Sequence, residues 1–172
     1  MTIGLFLIRL VIGLTMAAHG SQKLFGWFDG GGGISGTAPM FEQLGFRPAR
    51  AYAALAGMAE LAGGLLLAAG LLTPLAAAAI AAVMLVAMGS VHVHNGFFVH
   101  KQGYEYNLVL AATALGVAFA GPGPISLDQL LELDWSGIPW GLAALGLGLV
   151  AGAIPLALRT PARPETAQSK AA

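Results

Sequence analysis

Residues 90–107 read Ser90-Val-His-Val-His-Asn-Gly-Phe-Phe-Val-His-Lys-Gln-Gly-Tyr-Glu-Tyr-Asn107. They hold three of the chain's four histidines and lie between two long apolar segments. The Asn-Gly pair is typical of a helix end, and the residues after it fit a turn and a new helix start. This stretch is therefore predicted to bring imidazoles, a carboxylate, an amide and aromatic rings together at one edge of an apolar bundle, and we look for function there.

The composition on either side of this stretch is that of a membrane protein. Hydrophobic residues make up 57% of the 172 residues and charged residues 9%, against roughly 45–50% and about 25% in soluble domains. The formal net charge is zero, which excludes the basic footprint that nucleic-acid binding needs. The chain has no cysteine, so disulfide, thiolate-metal and thiol redox chemistry are excluded.

Five apolar segments are predicted to cross the bilayer, for which about 20 apolar residues are needed. They are residues 3–24, 50–72, 75–94, 105–120 and 138–158. The sequence therefore predicts an all-α integral membrane helical bundle.

Shorter segments connect and follow these spans. Residues 37–45 predict a short helix on the membrane surface, with Met40, Phe41 and Leu44 turned toward lipid. Ser126-Leu-Asp-Gln129 matches a capping box that opens another short helix. Residues 159–172 form a polar tail that we expect to be disordered.

The cationic residues predict the orientation of the bundle. Arg9 and the amino terminus are the only basic groups on one side. By the positive-inside rule the amino terminus is predicted outside and the carboxyl terminus in the cytoplasm. The basic residues on the predicted cytoplasmic side are Lys23, Arg47, Arg50, Lys101, Arg159, Arg163 and Lys170.

Five polar residues are candidate cofactor-binding residues. His19, His92, Glu105 and Asn107 stand at helix ends that an up-down bundle places at the same edge, and Glu60 lies about two helical turns deeper. The alternative is that they form a structural, hydrogen-bonded cluster that holds the helices together.

Glu60 is the strongest of these candidates. Ala53, Gly57 and Gly64 share its face, and small residues at that spacing let helices approach closely in lipid. An ionisable residue near mid-membrane is costly and is commonly functional. The plainer interpretation is a structural ion pair between Arg9 and Glu60.

The aromatic rings and the histidines have two further interpretations. The rings form either an interfacial belt or the mouth of a quinone pocket, and His94 and His100 are expected to be solvated. Two histidines and one or two glutamates could bind a metal ion, but they come from different helices without motif spacing, so no metal site is predicted. The rings concerned are Phe25, Trp27, Phe28, Phe97, Phe98, Tyr104 and Tyr106.

The order of the motifs resembles the DoxX family of small bacterial membrane proteins, over residues 3 to about 131. The motifs are Arg9-Leu-x-x-Gly13, His19-Gly-x-x-Lys-Leu-Phe-Gly-Trp-Phe28, Ala59-Glu60-Leu-x-Gly-Gly64, Gly70-Leu-Leu-Thr73, His94-Asn-Gly-Phe-Phe98, Gly103-Tyr-Glu-Tyr-Asn107 and Gly121-Pro-Gly-x-x-Ser-Leu-Asp128.

This resemblance implies a four-helix bundle in the bacterial inner membrane, related to the membrane subunit of thiosulfate:quinone oxidoreductases. It also implies association with soluble redox enzymes such as superoxide dismutase and a sulfurtransferase. Two functions follow as expectations: a redox-associated membrane subunit that binds quinone near the His/Glu cluster, or a non-catalytic membrane anchor for soluble redox enzymes.

The chain departs from the family pattern in its fifth span. We therefore divide it into a DoxX-like bundle at residues 1–131, a linker and fifth transmembrane helix at residues 132–158, and the tail. The fifth span carries Gly148 and Gly152 and no ionisable residue. It is expected to pack on the bundle, or on a second copy through these two glycines, without contributing to a ligand site.

Overall fold

The computed structural model describes residues 2–29 and 31–160, which fold entirely into helices, turns and loops. The helices are α1 (Thr2–Phe25), α2 (Gly33–Gln43), α3 (Ala49–Ala69), α4 (Thr73–Ala87), α5 (Glu105–Ala120), α6 (Leu127–Leu130) and α7 (Ile138–Leu158). Helix α4 continues as a π-helix (Met88–His92) and a 3₁₀ turn (Val93–Asn95), and a second 3₁₀ turn (Val99–Lys101) precedes α5.

The predicted helical membrane bundle is confirmed. Four helical segments of the described chain are long and apolar enough to cross a membrane: Thr2–Phe25, Ala49–Ala69, Thr73–Asn95 and Ile138–Leu158. The remaining core helix, α5, is apolar but has only 16 residues, fewer than the roughly 20 of a typical span. The chain is thus a multi-pass membrane protein.

Helices α1 and α3 pack along a seam of glycines. A Cβ added to Gly13 would lie 2.5 Å from the carbonyl oxygen of Gly64, and one added to Gly20 would collide with the backbone of Leu61. Because lipid supplies no hydrophobic force between helices, such close backbone approach is what stabilises the pair.

Helix α4 is the centre of the bundle and packs against α3, α5 and α7. Its buried positions are mostly alanine, with Ile80 and Met84 filling the larger spaces. Small side chains allow three neighbouring helices to approach it, so α4 separates α3 from α7.

Helix α7 lies against α4 through the two glycines that were considered for self-association. A Cβ on Gly148 would lie 3.0 Å from that of Ala81, and one on Gly152 would lie 2.9 Å from the carbonyl oxygen of Ala82. Both glycines are buried within the chain, so of the two expected arrangements the structure has the fifth span packed on the bundle, and Gly148 and Gly152 do not face outward for a second copy. The close approach to α4 already uses that surface.

A buried polar lock joins α1, the α3–α4 turn and α6. The Arg9 guanidinium donates to the carbonyl oxygens of Pro122 and Ile125. The Asp128 carboxylate accepts from the backbone amide of Leu72 at 2.7 Å and from the amide and hydroxyl of Thr73 at 3.0 and 2.6 Å. The N-cap predicted at Ser126 is confirmed, since its hydroxyl oxygen accepts from the amide of Gln129 at 3.1 Å.

The ion pair predicted between Arg9 and Glu60 is wrong. Arg9 lies in the first half of α1, and that helix runs antiparallel to α3, so Arg9 lies beside the end of α3 and not beside Glu60. Loop carbonyls accept hydrogen bonds from the two terminal nitrogens of the Arg9 guanidinium there.

Helix α2 and the end of α7 meet at the opposite edge of the bundle. Phe41 is buried against Phe46, with ring centroids 5.5 Å apart, so it does not face lipid as predicted. The expected tail begins in contact with the bundle, because Arg159 donates to the carbonyl of Gly89 at 3.0 Å and the amide of Thr160 donates to that of Gly45 at 2.9 Å. Residues 161–172 lie outside the described part of the chain.

Candidate functional site

A half-open groove of about 380 Å³ runs along α4 between α3 and α7, with α2 at one end. We call it the α4 groove. Its size is within the range of small-molecule pockets, which are concave and mostly apolar. The lining residues are Lys23, Met40, Phe41, Leu44, Phe46, Tyr52, Leu55, Ala56, Ala59, Glu60, Leu75, Ala78, Ala79, Ala82, Val83, Val86, Ala87, Ser90, Val91, Leu147, Ala151 and Pro155.

The groove opens toward the bilayer. Leu55 of α3, Leu75 and Val91 of the α4 segment and Leu147 of α7 border it and are also exposed on the outer surface of the bundle. An apolar molecule dissolved in the membrane can therefore reach the groove sideways, without crossing water.

The Lys23–Glu60 ion pair is the charged feature of the groove. The Lys23 ammonium donates to the two carboxylate oxygens of Glu60 at 2.7 and 2.6 Å. The Glu60 side chain is 3% exposed and that of Lys23 is 22% exposed. Glu60 stands near the middle of α3, so a full pair of charges is held in an otherwise apolar wall.

Local packing explains how Lys23 reaches so far into the bundle. Lys23 stands near the end of α1, and its stem runs over Gly57 of α3. A Cβ on Gly57 would lie 2.8 Å from the Leu24 side chain and 3.3 Å from the Cβ of Lys23. The absence of a side chain at residue 57 leaves room for the lysine to lie along α3 and meet Glu60 one turn further on.

The π-helix at Met88–His92 shapes the end of the groove nearest α2. Such wide turns inside helices are rare and are frequent at functional sites. Ser90 and Val91 border the groove there, and the Ser90 hydroxyl donates to the carbonyl of Val86 at 2.6 Å. That hydroxyl is therefore satisfied by its own helix.

The groove offers one hydrogen-bond donor in an apolar surrounding. The Lys23 ammonium has three N–H donors, of which Glu60 accepts two. The third can donate to an oxygen acceptor of a bound molecule, and the surrounding side chains suit an apolar body. The matching ligand is a lipophilic molecule with an acceptor oxygen on its head.

The structure does not bring the five predicted cofactor-binding residues together. Of these, Glu60 alone borders the α4 groove. His19 stands one turn before Lys23 on α1, but its Nε2 is 3.5 Å from the Tyr106 hydroxyl of α5. Asn107 is buried between α5 and α4, with its amide nitrogen 3.5 Å from the sulfur of Met84.

His92 and Glu105 stabilise the loop before α5. The Nδ1 atom of His92 lies 2.7 Å from the carbonyl oxygen of Gln102, and the Glu105 carboxylate accepts from the amide of Val99 at 2.9 Å. These contacts order residues 92–105, so the two side chains serve the local fold. Their predicted convergence with Glu60 is corrected.

Lys23 is the groove residue that sequence reasoning did not select. From the sequence it is one of the basic residues that predict the orientation of the bundle. The signal that could have found it is the antiparallel pairing of α1 with α3, because in that register Lys23 and Gly57 oppose one another and Glu60 follows.

Comparison with known proteins gives one match. A family model described as DoxX matches residues 4–95, which include α1 to α4 and both members of the ion pair. No curated protein and no solved structure matches the chain. Helices α5, α6 and α7 lie outside the matched stretch.

Proposed function

The chain belongs to the DoxX family of membrane proteins, and from that premise we propose that it is a redox-associated membrane subunit that binds an isoprenoid quinone in the α4 groove. The observation that carries this proposal is the buried Lys23–Glu60 pair in the wall of a lipid-accessible apolar groove.

The residues present fit such a ligand. A quinone has carbonyl oxygens that accept hydrogen bonds, a flat apolar ring and an apolar chain, and when bound it supplies a two-electron, two-proton redox couple. The free N–H of Lys23 can hold a carbonyl oxygen of the head. The alanines of α3 and α4 leave flat space for the ring, and the open side of the groove leaves the chain in lipid.

Glu60 serves this site in two ways. Its carboxylate fixes the direction of the Lys23 ammonium by accepting two of its hydrogens. It also neutralises the lysine, which would otherwise be a costly isolated charge in the membrane. Because Glu60 already holds the Lys23 ammonium in place, a ligand can bind to it without a rearrangement of the helices.

The orientation of the bundle is part of the proposal. Lys23, Arg47, Arg50, Lys101 and Arg159 share the edge where α2 lies, whereas Glu132 and Asp134 lie before α7 at the other edge. The positive-inside rule then places α2 at the cytoplasmic face of a bacterial inner membrane, with the amino terminus outside. The groove would be nearest to a soluble redox partner on the cytoplasmic side.

The experiment is a binding titration of the detergent-purified full chain with decylubiquinone, followed by tryptophan fluorescence. We expect saturable binding that is weakened about tenfold or more in Glu60→Gln, which keeps the shape but not the charge that balances Lys23. Glu105→Gln is the matched control, since that glutamate lies in the loop site predicted from sequence, and it should bind as wild type.

Two results would overturn the proposal. If the wild-type chain shows no saturable binding, the groove does not hold decylubiquinone, and the alternative function as an anchor for soluble enzymes becomes the one to test. If Glu105→Gln loses binding while Glu60→Gln retains it, the quinone lies at the loop and not in the α4 groove. A thermal melt of each variant shows that the bundle has remained folded.

A further inference from the structure

Helix α7 was expected to be a purely structural addition, but it forms one wall of the α4 groove. Leu147, Ala151 and Pro155 lie four residues apart and line it, because residues i and i+4 share one face of a helix. The side opposite this wall is formed by α3, and α4 forms the floor between them. Without α7 the same surface would be an open helix face.

The glycines of α7 determine which of its residues face the groove. Gly148 and Gly152 let α7 approach α4 closely, and each directly follows a wall residue, Leu147 or Ala151. The register that buries the glycines therefore turns the residues before them toward the groove.

The end of the wall near α2 is fixed by a second contact. Arg159 donates to the carbonyl oxygens of Gly89 and Ser90 at 3.0 and 3.5 Å, both within the π-helix. The same π-helix borders the groove through Ser90. The position of α7 is thus tied to the groove floor at both ends of the wall.

Ala151 is the narrowest side chain of this wall and stands between two larger ones. It lies about two helical turns from the end of α7, and Ala56 lies about two turns from the start of the antiparallel α3, so the two alanines border the groove at similar depth. This level is between α2 and the Lys23–Glu60 pair.

We propose that Ala151 sets the width of the α4 groove, so that α7 determines the size of lipophilic ligand that the groove admits. This inference rests on the proposed quinone site. It assigns a specificity-determining role to a helix outside the stretch that matches the family.

The test compares two substitutions on the same helix in the full-length chain. Both alanines are exposed on α7, but Ala151 lines the groove and Ala153 does not. Ala151→Leu therefore adds bulk inside the groove, and Ala153→Leu adds the same bulk outside it. We expect Ala151→Leu to weaken decylubiquinone binding about tenfold, as overpacking of a filled site does. Ala153→Leu should bind within about twofold of wild type, the scatter of a lipid-facing change.

A third variant protects the test against simple misfolding. Ala151→Gly removes the methyl group, and it should bind decylubiquinone at least as well as wild type and a bulkier fused-ring menaquinone analogue better than wild type does. Equal binding by Ala151→Leu and wild type, with Glu60→Gln still impaired, would overturn this inference alone. Absence of binding in wild type would overturn both the inference and the proposed function.

Discussion

At the scale of single residues, the Lys23–Glu60 pair is the feature that packing alone does not require. Its surroundings are apolar, and replacing a buried ion pair by apolar residues of similar volume is often neutral or stabilising. A chain shaped only for stability would have little use for two charges at this depth. This is the physical ground on which we propose the pair as a ligand site.

Removal of one charge should cost more stability than removal of both. Glu60→Leu leaves Lys23 without its partner, at a cost of about 3–5 kcal/mol for a fully buried pair, and toward the lower end here because Lys23 keeps some exposure. The double variant Lys23→Met with Glu60→Leu should recover most of the lost free energy of unfolding. Thermal melts in detergent measure both, and a double variant as unstable as Glu60→Leu would show that the charges are not coupled.

The carboxylate of Asp128 should matter to stability and not to ligand binding. The Oδ1 atom of Asp128 accepts from the amide of Leu72, and Oδ2 accepts from the amide and hydroxyl of Thr73. Asp128→Asn replaces one of these two acceptor oxygens by an NH₂ group, and unsatisfied buried donors cost about 1–3 kcal/mol. Asp134→Asn is the control, since Asp134 is exposed and accepts a hydrogen bond from the Ser136 hydroxyl at 2.8 Å. If Asp128→Asn melts at the same temperature as the control, the hydrogen bonds of Asp128 do not stabilise the bundle.

At the scale of helices, α1 and α3 carry the ion pair on a seam of glycines. The seam brings the two backbones close enough for Lys23 to lie over Gly57. The position of the ion pair therefore depends on helix packing several turns away.

Substitution in this seam should separate the helices. Gly20→Ala places a methyl group into the backbone of α3, whereas Gly4→Ala on the same helix meets nothing within 4 Å. We expect Gly20→Ala to lower the free energy of unfolding by about 1–3 kcal/mol, the usual cost of overpacking, and to weaken quinone binding as well. Gly4→Ala should leave both unchanged in melts and titrations, and a wild-type melt for Gly20→Ala would rule out the close seam.

The sequence predicted the helices well because apolar length and turn residues are local signals. Four of the five predicted spans and the Ser126 cap could be predicted for this reason, whereas α5 has only 16 residues. The partner of Glu60 could not, because Arg9, His19 and Lys23 share one arc of α1 and only the register of α1 against α3 selects among them. The sequence also did not show that α7 lines the α4 groove. That depends on the register of α7 against α4, about which the lack of ionisable residues in α7 says nothing.

At the scale of the whole molecule, the bundle has two different edges. One carries α2, the end of the α4 groove nearest to it and most of the basic residues of the described chain, and the other carries the contacts of Arg9 and Asp128. If the groove is the ligand site that we propose, the orientation of the chain decides which side of the membrane lies nearest to the Lys23–Glu60 pair.

The absence of native cysteine allows this orientation to be measured directly. Ser136→Cys and Gln102→Cys each place one thiol on an exposed loop, at opposite edges of the bundle. In intact spheroplasts an impermeant maleimide should label Ser136→Cys at once and Gln102→Cys only after lysis. The reverse labelling pattern would place α2, and the end of the α4 groove nearest to it, on the outside.

The location of the bound quinone tests the central claim most directly. A photoreactive azidoquinone can be cross-linked to the purified full chain and the labelled peptides identified by mass spectrometry. We expect labels on residues 52–60 of α3 or 78–91 of the α4 segment, displaced by excess decylubiquinone and reduced in Glu60→Gln. Labels concentrated on the loop at residues 92–107, or unchanged in Glu60→Gln, would contradict a quinone site at the Lys23–Glu60 pair.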